Sequence, residues 1–172
     1  MEYIHGKDIC HGDLKPCNVL VFENNGDWIY KISDFGEARS AIQNTCISTS
    51  TLTTSKARGT AAYLPPESFV NYASPVCKAK DTYAMAITCY QMFHPSLEHP
   101  WQNDVNAFEY HFVREKVLAG ERPTVSNDSI PDWFLSLIKS CWHQDPEQRP
   151  SMEYVIELMK VACTEGEYMF AL

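Results

Sequence analysis

The stretch that most constrains this chain runs from His11 to Gly36, opening His-Gly-Asp-Leu-Lys-Pro-Cys-Asn and closing on Asp34-Phe35-Gly36. It places the charge-handling side chains Asp13, Lys15, Asn18 and Asp34 around a hairpin pattern. Val19–Phe22 is apolar, Asn25-Gly26 is a turn dipeptide that tolerates positive φ, and Trp28–Ile32 is strand-like again. A hairpin folds its ends back together, so Asn18 and Asp34, which flank it, are expected to meet in space. An amide oxygen and a carboxylate converging there suit Mg²⁺, which takes hard oxygen ligands and usually shares them with phosphates. Either string alone reads equally as an ordinary polar turn. Their order, and the hairpin that joins them, narrow the choice.

With those residues in that order, the stretch resembles the catalytic loop and metal-binding loop of eukaryotic protein kinases, H-R-D-x-K-x-x-N followed by D-F-G. The resemblance implies that Asp13 is the base receiving the substrate hydroxyl proton and that Lys15 steadies the transferring phosphoryl group. It implies that Asn18 and Asp34 hold the magnesium ions, and that Leu20 occupies the apolar position of the adenine floor beneath ATP. A lysine two residues after the aspartate is similar to the serine/threonine kinases and the tyrosine-kinase-like group more than to true tyrosine kinases. Gly12 departs from the pattern. Most kinases have an arginine there, which pairs with an activation-loop phosphate through charge-assisted bonds. Weaker dependence on loop phosphorylation is therefore expected, unless Arg39, Lys56 or Arg58 substitutes.

Later strings extend the likeness. Arg58-Gly-Thr-Ala-Ala-Tyr-Leu-Pro-Pro-Glu67 resembles the G-T-x-x-Y-x-x-P-E segment that shapes the substrate groove. Thr60 matches the threonine that bonds the catalytic aspartate and lysine in serine/threonine kinases. Pro-Pro-Glu is by itself an ordinary helix start. Its family partner is an arginine far downstream, and Cys141-Trp-His-Gln-Asp-Pro-Glu-Gln-Arg149-Pro-Ser matches the signature that carries it in the tyrosine-kinase and tyrosine-kinase-like groups. A bidentate, largely buried Glu67–Arg149 pair is expected. Asp81 reads either as a helix N-cap or, by the resemblance, as the carboxylate that holds the backbone of the catalytic loop.

The fold class that follows is mainly α with a short β-hairpin, similar to the C-terminal, large lobe of a protein kinase. The apolar run Thr82–Phe93 is interrupted by polar residues and shorter than the ~20 residues a bilayer requires. It is expected to be a central core helix, with Ala84, Ile87 and Met92 inside. Helical patterns follow over Val105–Ala119, stopped by Gly120, then Pro131–Trp142, then Ser151–Val161 behind an N-cap serine with Met152, Val155, Ile156 and Met159 on one side. Met1–His5 reads as the last turn of a helix and Ile9-Cys10 as a short strand. The domain is expected over residues 1–162, with its catalytic loop at 11–18 and its activation segment at 34–67, and a tail over 163–172. The serine- and threonine-rich run from Thr45 to Ser55 buries little and is expected to be mobile, with hydroxyls available for phosphorylation.

Composition bounds the partners. The chain has 172 residues and 45% hydrophobic content, enough for a core, and a net charge of −8 with no basic cluster, which disfavours nucleic acid. Seven cysteines without a CxxC pair, and no signal peptide, point to free thiols in a reducing, cytoplasmic setting; the six histidines show no ligand spacing. Nothing in the sequence matches the kinase glycine-rich loop, strand lysine or its glutamate partner. The N-terminal lobe is therefore expected to be absent and supplied in cis or in trans, and the isolated chain to be weak or inactive, because a reactant held on one side is poorly positioned. The alternative is a non-catalytic kinase-like binding module.

Overall fold

The computed structural model describes residues 1–41, 61–70, 77–94, 99–102, 110–124 and 130–164. The Thr45–Ser55 run, Lys56, Arg58 and Thr60 lie outside the described residues.

Asp8 takes a φ of 54°, and this left-handed kink turns the chain from helix α1 (Glu2–Gly6) into strand β1 (Ile9–Cys10). The loop after β1 ends in a single 3₁₀ turn, Pro16–Asn18, with proline at its start, where a missing N–H costs nothing. Strands β2 (Val19–Asn24) and β3 (Asp27–Ile32) then pair antiparallel in a register that runs from Val19↔Ile32 to Asn24↔Asp27. Asn25 and Gly26, at φ of 54° and 91°, supply the double positive-φ turn that matches the twist of such strands. A two-residue strand, β4 (Arg39–Ser40), returns to pair with β1 as Ile9↔Ser40 and Cys10↔Arg39. That ribbon has no counterpart in the sequence pattern. It closes residues 11–38 into one loop system.

The rest is helical: α2 (Pro66–Val70), α3 (Lys78–Met92), α4 (Tyr110–Leu118), α5 (Asp132–Cys141) and α6 (Met152–Thr164). Helix α3 is central. Its buried residues Tyr83, Ala86, Ile87 and Tyr90 join Phe134, Leu135, Ile138 and Trp142 on and beside α5 in the main core. Each such large apolar side chain contributes roughly 1.5–3 kcal/mol relative to exposure. A second cluster joins Phe69, Trp101, Val113 and Val117 beneath the turn Ala61–Tyr63.

Boundaries and faces differ from expectation in places. Met92 is 60% exposed, because α3 ends there and its last turn leaves the core. Gly120, at φ 83°, closes α4 as expected, its N–H bonding to Val117 O at 3.1 Å. Ser151 Oγ accepts from Tyr154 N–H, capping α6. Only Met152 and Val155 of the expected stripe are buried, with Met159 exposed, and the helix continues through Thr164 into the expected tail. No helix among the described residues is long and apolar enough to cross a membrane.

Candidate active site

The loop from His11 to Asn18 is suspended from α3. Asp81, in the first turn of that helix, accepts the His11 N–H at 2.7 Å and the Gly12 N–H at 2.9 Å through its two carboxylate oxygens. Cys77 precedes the helix without capping it, so Asp81 acts as an anchor and not as an N-cap. His11 is fully buried and reaches the other way, its Nε2 donating to Ser33 O at 2.9 Å while Phe35 meets its ring edge-on at 5.0 Å. The imidazole thus ties the loop to the segment that carries Asp34. Gly12 sits at φ 82°, and a Cβ there would meet Glu37 O at 2.8 Å. Glycine is what that close approach of two backbones admits.

Three of the expected residues form one bonded cluster. Lys15 Nζ donates to Asp13 Oδ2 at 2.7 Å, and Asn18 Nδ2 donates to Asp13 O at 2.7 Å. Asp13 is 9% exposed, and its Oδ1 is buried without a hydrogen-bond partner among the described residues. An unmatched carboxylate oxygen in that setting is costly, and functional sites are where such costs persist. Its second oxygen is held still by the lysine, so Oδ1 keeps a fixed direction.

The hairpin brings its ends together as expected: Ser33 N–H and Oγ donate to Asn18 O at 2.8 and 3.0 Å. Asp34 follows directly, at φ 60°, with its carboxylate accepting from Gly36 N–H at 3.3 Å. It is exposed and shares no hydrogen bond with Asp13, Lys15 or Asn18 among the described residues. With Asn18 Nδ2 committed to Asp13, the amide oxygen faces away from that bond, and the Asp34 carboxylate is open. This hard-oxygen donor set is the chemistry a magnesium ion takes. No cluster of three or more His, Cys, Asp or Glu side chains suited to a metal occurs among the described residues. Leu20 stands 45% exposed on β2. Thr60 lies outside the described residues.

Beneath the site, Arg149 and Glu67 form the expected fork at 2.8 Å on both arms. The sequence of the protein kinase domain family matches residues 1–159. The chain belongs to the protein kinase family. Among kinases it is 30% identical to the probable serine/threonine-protein kinase gdt2 of Dictyostelium discoideum over 92% of its own length and 9% of that protein's. It is 31% identical to stress-activated protein kinase alpha of the same organism, covering 98% of this chain and 25% of that one. It is 32% identical to mitogen-activated protein kinase kinase kinase 7 of Drosophila melanogaster, over 92% and 21%. The kinase chain thus spans a quarter or less of the length of these relatives.

Two features of the site were not legible beforehand. His5 is one of six histidines without ligand spacing in the sequence, yet it is buried and bonds Asp81. Ser33, which joins Asn18 to the Asp34 segment, carried no signal beyond its place before the aspartate. The cysteines also divide: Cys10 and Cys141 are buried, whereas Cys17 and Cys163 are exposed.

Proposed function

We propose that this chain carries the phosphoryl-transfer centre of a serine/threonine protein kinase, with Asp13, Lys15, Asn18 and Asp34 in the roles the family assigns. The observation that carries the reading is Asp13 Oδ1, a buried oxygen unpartnered among the described residues, beside a lysine that fixes its twin. Asp13 accepts the proton from an attacking hydroxyl as that oxygen bonds the γ-phosphorus of ATP and the bridge to the β-phosphate breaks. Proton acceptance of this kind contributes about 10²–10⁴ in rate. Lys15 offsets negative charge at the same point, because its Nζ lies against the Asp13 carboxylate and is itself only partly exposed. Asn18 and Asp34 would hold magnesium, which when bound neutralises charge on the phosphates. Leu20 offers an exposed apolar side chain as a floor for the adenine.

Serine/threonine preference rests on Lys15, on the match at Thr60, and on relatives that are themselves serine/threonine kinases by name. The Cys141–Ser151 string supports the tyrosine-kinase-like group. A protein substrate, ATP and a cytoplasmic setting belong to the same proposal, as do a domain over 1–162 and its activation segment. The test is transfer of labelled phosphate from Mg-ATP to serine, threonine and tyrosine peptides, with Asp13→Asn and Asp34→Asn alongside. Label on serine or threonine, weak for this chain by itself because the N-terminal lobe has to be supplied, that vanishes in both variants is expected. Phosphotyrosine in the product contradicts the preference, and transfer undiminished by Asp34→Asn contradicts the metal role. A second reading, a kinase-like binding module, is favoured by the half-exposed Val21, Phe22, Trp28 and Tyr30 on the hairpin. Loss of transfer in Asp34→Asn excludes it.

A further inference from the structure

Two thiols lie where the base of the catalytic loop meets the start of α3. In β1, Ile9 is 37% exposed and Cys10 is 0% exposed, so the Cys10 side chain faces the protein interior. Bonds on either side of it fix what it faces. Asp8 Oδ1 accepts from Lys78 Nζ at 2.7 Å, and the His11 and Gly12 amides donate to Asp81 at 2.7 and 2.9 Å. Residues 8–12 therefore run along the first turn of α3. Cys77 is the residue that opens that turn, its backbone extended at φ −132° and ψ 157° and its side chain making no capping bond. Burial pushes the Cys10 thiol up to about 12, and the charges of Asp81 and then Cys77 act in the same direction. The two sulfurs are thus within electrostatic reach of one another. Exposure separates them: Cys77 is partly exposed, whereas Cys10 is buried.

We propose that Cys10 and Cys77 are a redox-sensitive thiol pair, which hydrogen peroxide converts to a disulfide tying strand β1 to the start of α3. The chemistry takes two steps. The exposed partner reacts first: the Cys77 sulfur attacks a peroxide oxygen, the O–O bond breaks, and the departing hydroxide takes up the thiol proton as water. This leaves a sulfenic acid on Cys77. The Cys10 sulfur then attacks the Cys77 sulfur, the S–O bond breaks, and the second hydroxide leaves as water with the Cys10 proton. Two thiols lose two electrons and two protons, and one peroxide becomes two waters. Because Cys10 is shielded, the second step draws on proximity and not on encounter with an oxidant in solution. A disulfide holds its Cα atoms roughly 4.4–6.8 Å apart. The bond therefore pins residue 10 to the helix start and opposes the local opening that lets water reach the His11 and Gly12 amides. Neither thiol belongs to the bonded cluster of Asp13, Lys15 and Asn18, so the inference stands apart from the function proposed above.

The experiment treats the 172-residue chain with hydrogen peroxide, blocks the remaining thiols with N-ethylmaleimide, and maps the unreduced peptides by mass spectrometry. A linked pair carrying Cys10 and Cys77, two hydrogens lighter than its separate peptides, is expected. It should disappear after dithiothreitol and be absent from Cys77→Ser. Amide hydrogen exchange is read in parallel at His11 and Gly12 against the amides of α5. Oxidation should slow exchange at His11 and Gly12 by about tenfold or more in wild type and leave it unchanged in Cys77→Ser. Recovery of Cys77 as a sulfinic acid with Cys10 still a thiol overturns the proposal, as does a disulfide from Cys77 to Cys17 or Cys163 in its place. A Cys10–Cys77 link that forms only as α5 loses its protection comes from an unfolded chain, and it too overturns the assignment. Should Cys77→Ser not fold, the wild-type peptide map and its reversal by dithiothreitol decide.

Discussion

Arg149 and Asp34 are both charged residues in loops, and the fold treats them in opposite ways. The Arg149 side chain is 0% exposed. It spends its N–H groups on Glu67 Oε1 and Oε2, Ala79 O, His143 O and Gln144 O, and its guanidinium lies 5.1 Å from the centre of the Tyr83 ring. Arg122 lies against the same ring, at 5.2 Å. Asp34 is exposed, is held in a left-handed conformation, and accepts a single long bond from Gly36. Below the catalytic loop, polar groups are consumed by the protein; at its rim they are left available. Stability and chemistry should therefore respond to different substitutions.

The largest effect that would sharpen this contrast is at Asp13. Asp13→Asn should lower phosphate transfer by about 10²–10⁴, while urea unfolding shifts by less than about 1 kcal/mol because one carboxylate oxygen has no partner to lose. A matching loss of stability would erase the distinction. Next is Arg149→Leu, which strands a Glu67 carboxylate that is mostly buried and should cost about 3–5 kcal/mol in the same unfolding measurement. A cost below about 1 kcal/mol would show the anchor to be dispensable.

Thiol reactivity draws the boundary independently. Burial pushes the Cys10 and Cys89 thiols up to about 12 and the Cys141 thiol up to about 11. Because the folded state holds these protons more tightly, their thiolates stay scarce until pH rises to those values, and each unit lowers the reactive fraction about tenfold. Alkylation followed by mass spectrometry should mark exposed Cys17 and Cys163 first, with Cys10 about a hundredfold slower or more. Rapid labelling of Cys10 would mean that the base of the loop opens readily. The smallest effect is expected at Gly12→Ala. Its positive φ and the approach to Glu37 O should cost about 1–2 kcal/mol, measured by thermal unfolding. A neutral result would show that the two loops move apart easily.

Much of this arrangement was legible in the residues, for local reasons. Asn25-Gly26 determined the hairpin turn because few other pairs accept two positive φ values, and a two-residue turn fixes the register of the strands it joins. Gly120 stopped α4, Ser151 started α6, and the Glu67 and Arg149 strings announced their pairing. What the residues did not announce lies in contacts between distant segments. A two-residue strand such as β4 has no periodicity to read, so its union with β1 and the tight meeting of Gly12 with Glu37 were invisible. Met92 and Met159 look like core residues by spacing, and only the ends and neighbours of their helices leave them outside.

By itself, then, the sequence determined the order of the elements, the hairpin, and which side chains are chemically suited to accept a proton or bind hard cations. The tertiary structure alone decided that His5 meets Asp81 and that, among the described residues, Asp13 keeps one oxygen without a partner. The reason is physical: turn and cap preferences act over a few residues, whereas the direction of a buried carboxylate is set by whatever donors the completed packing brings to it.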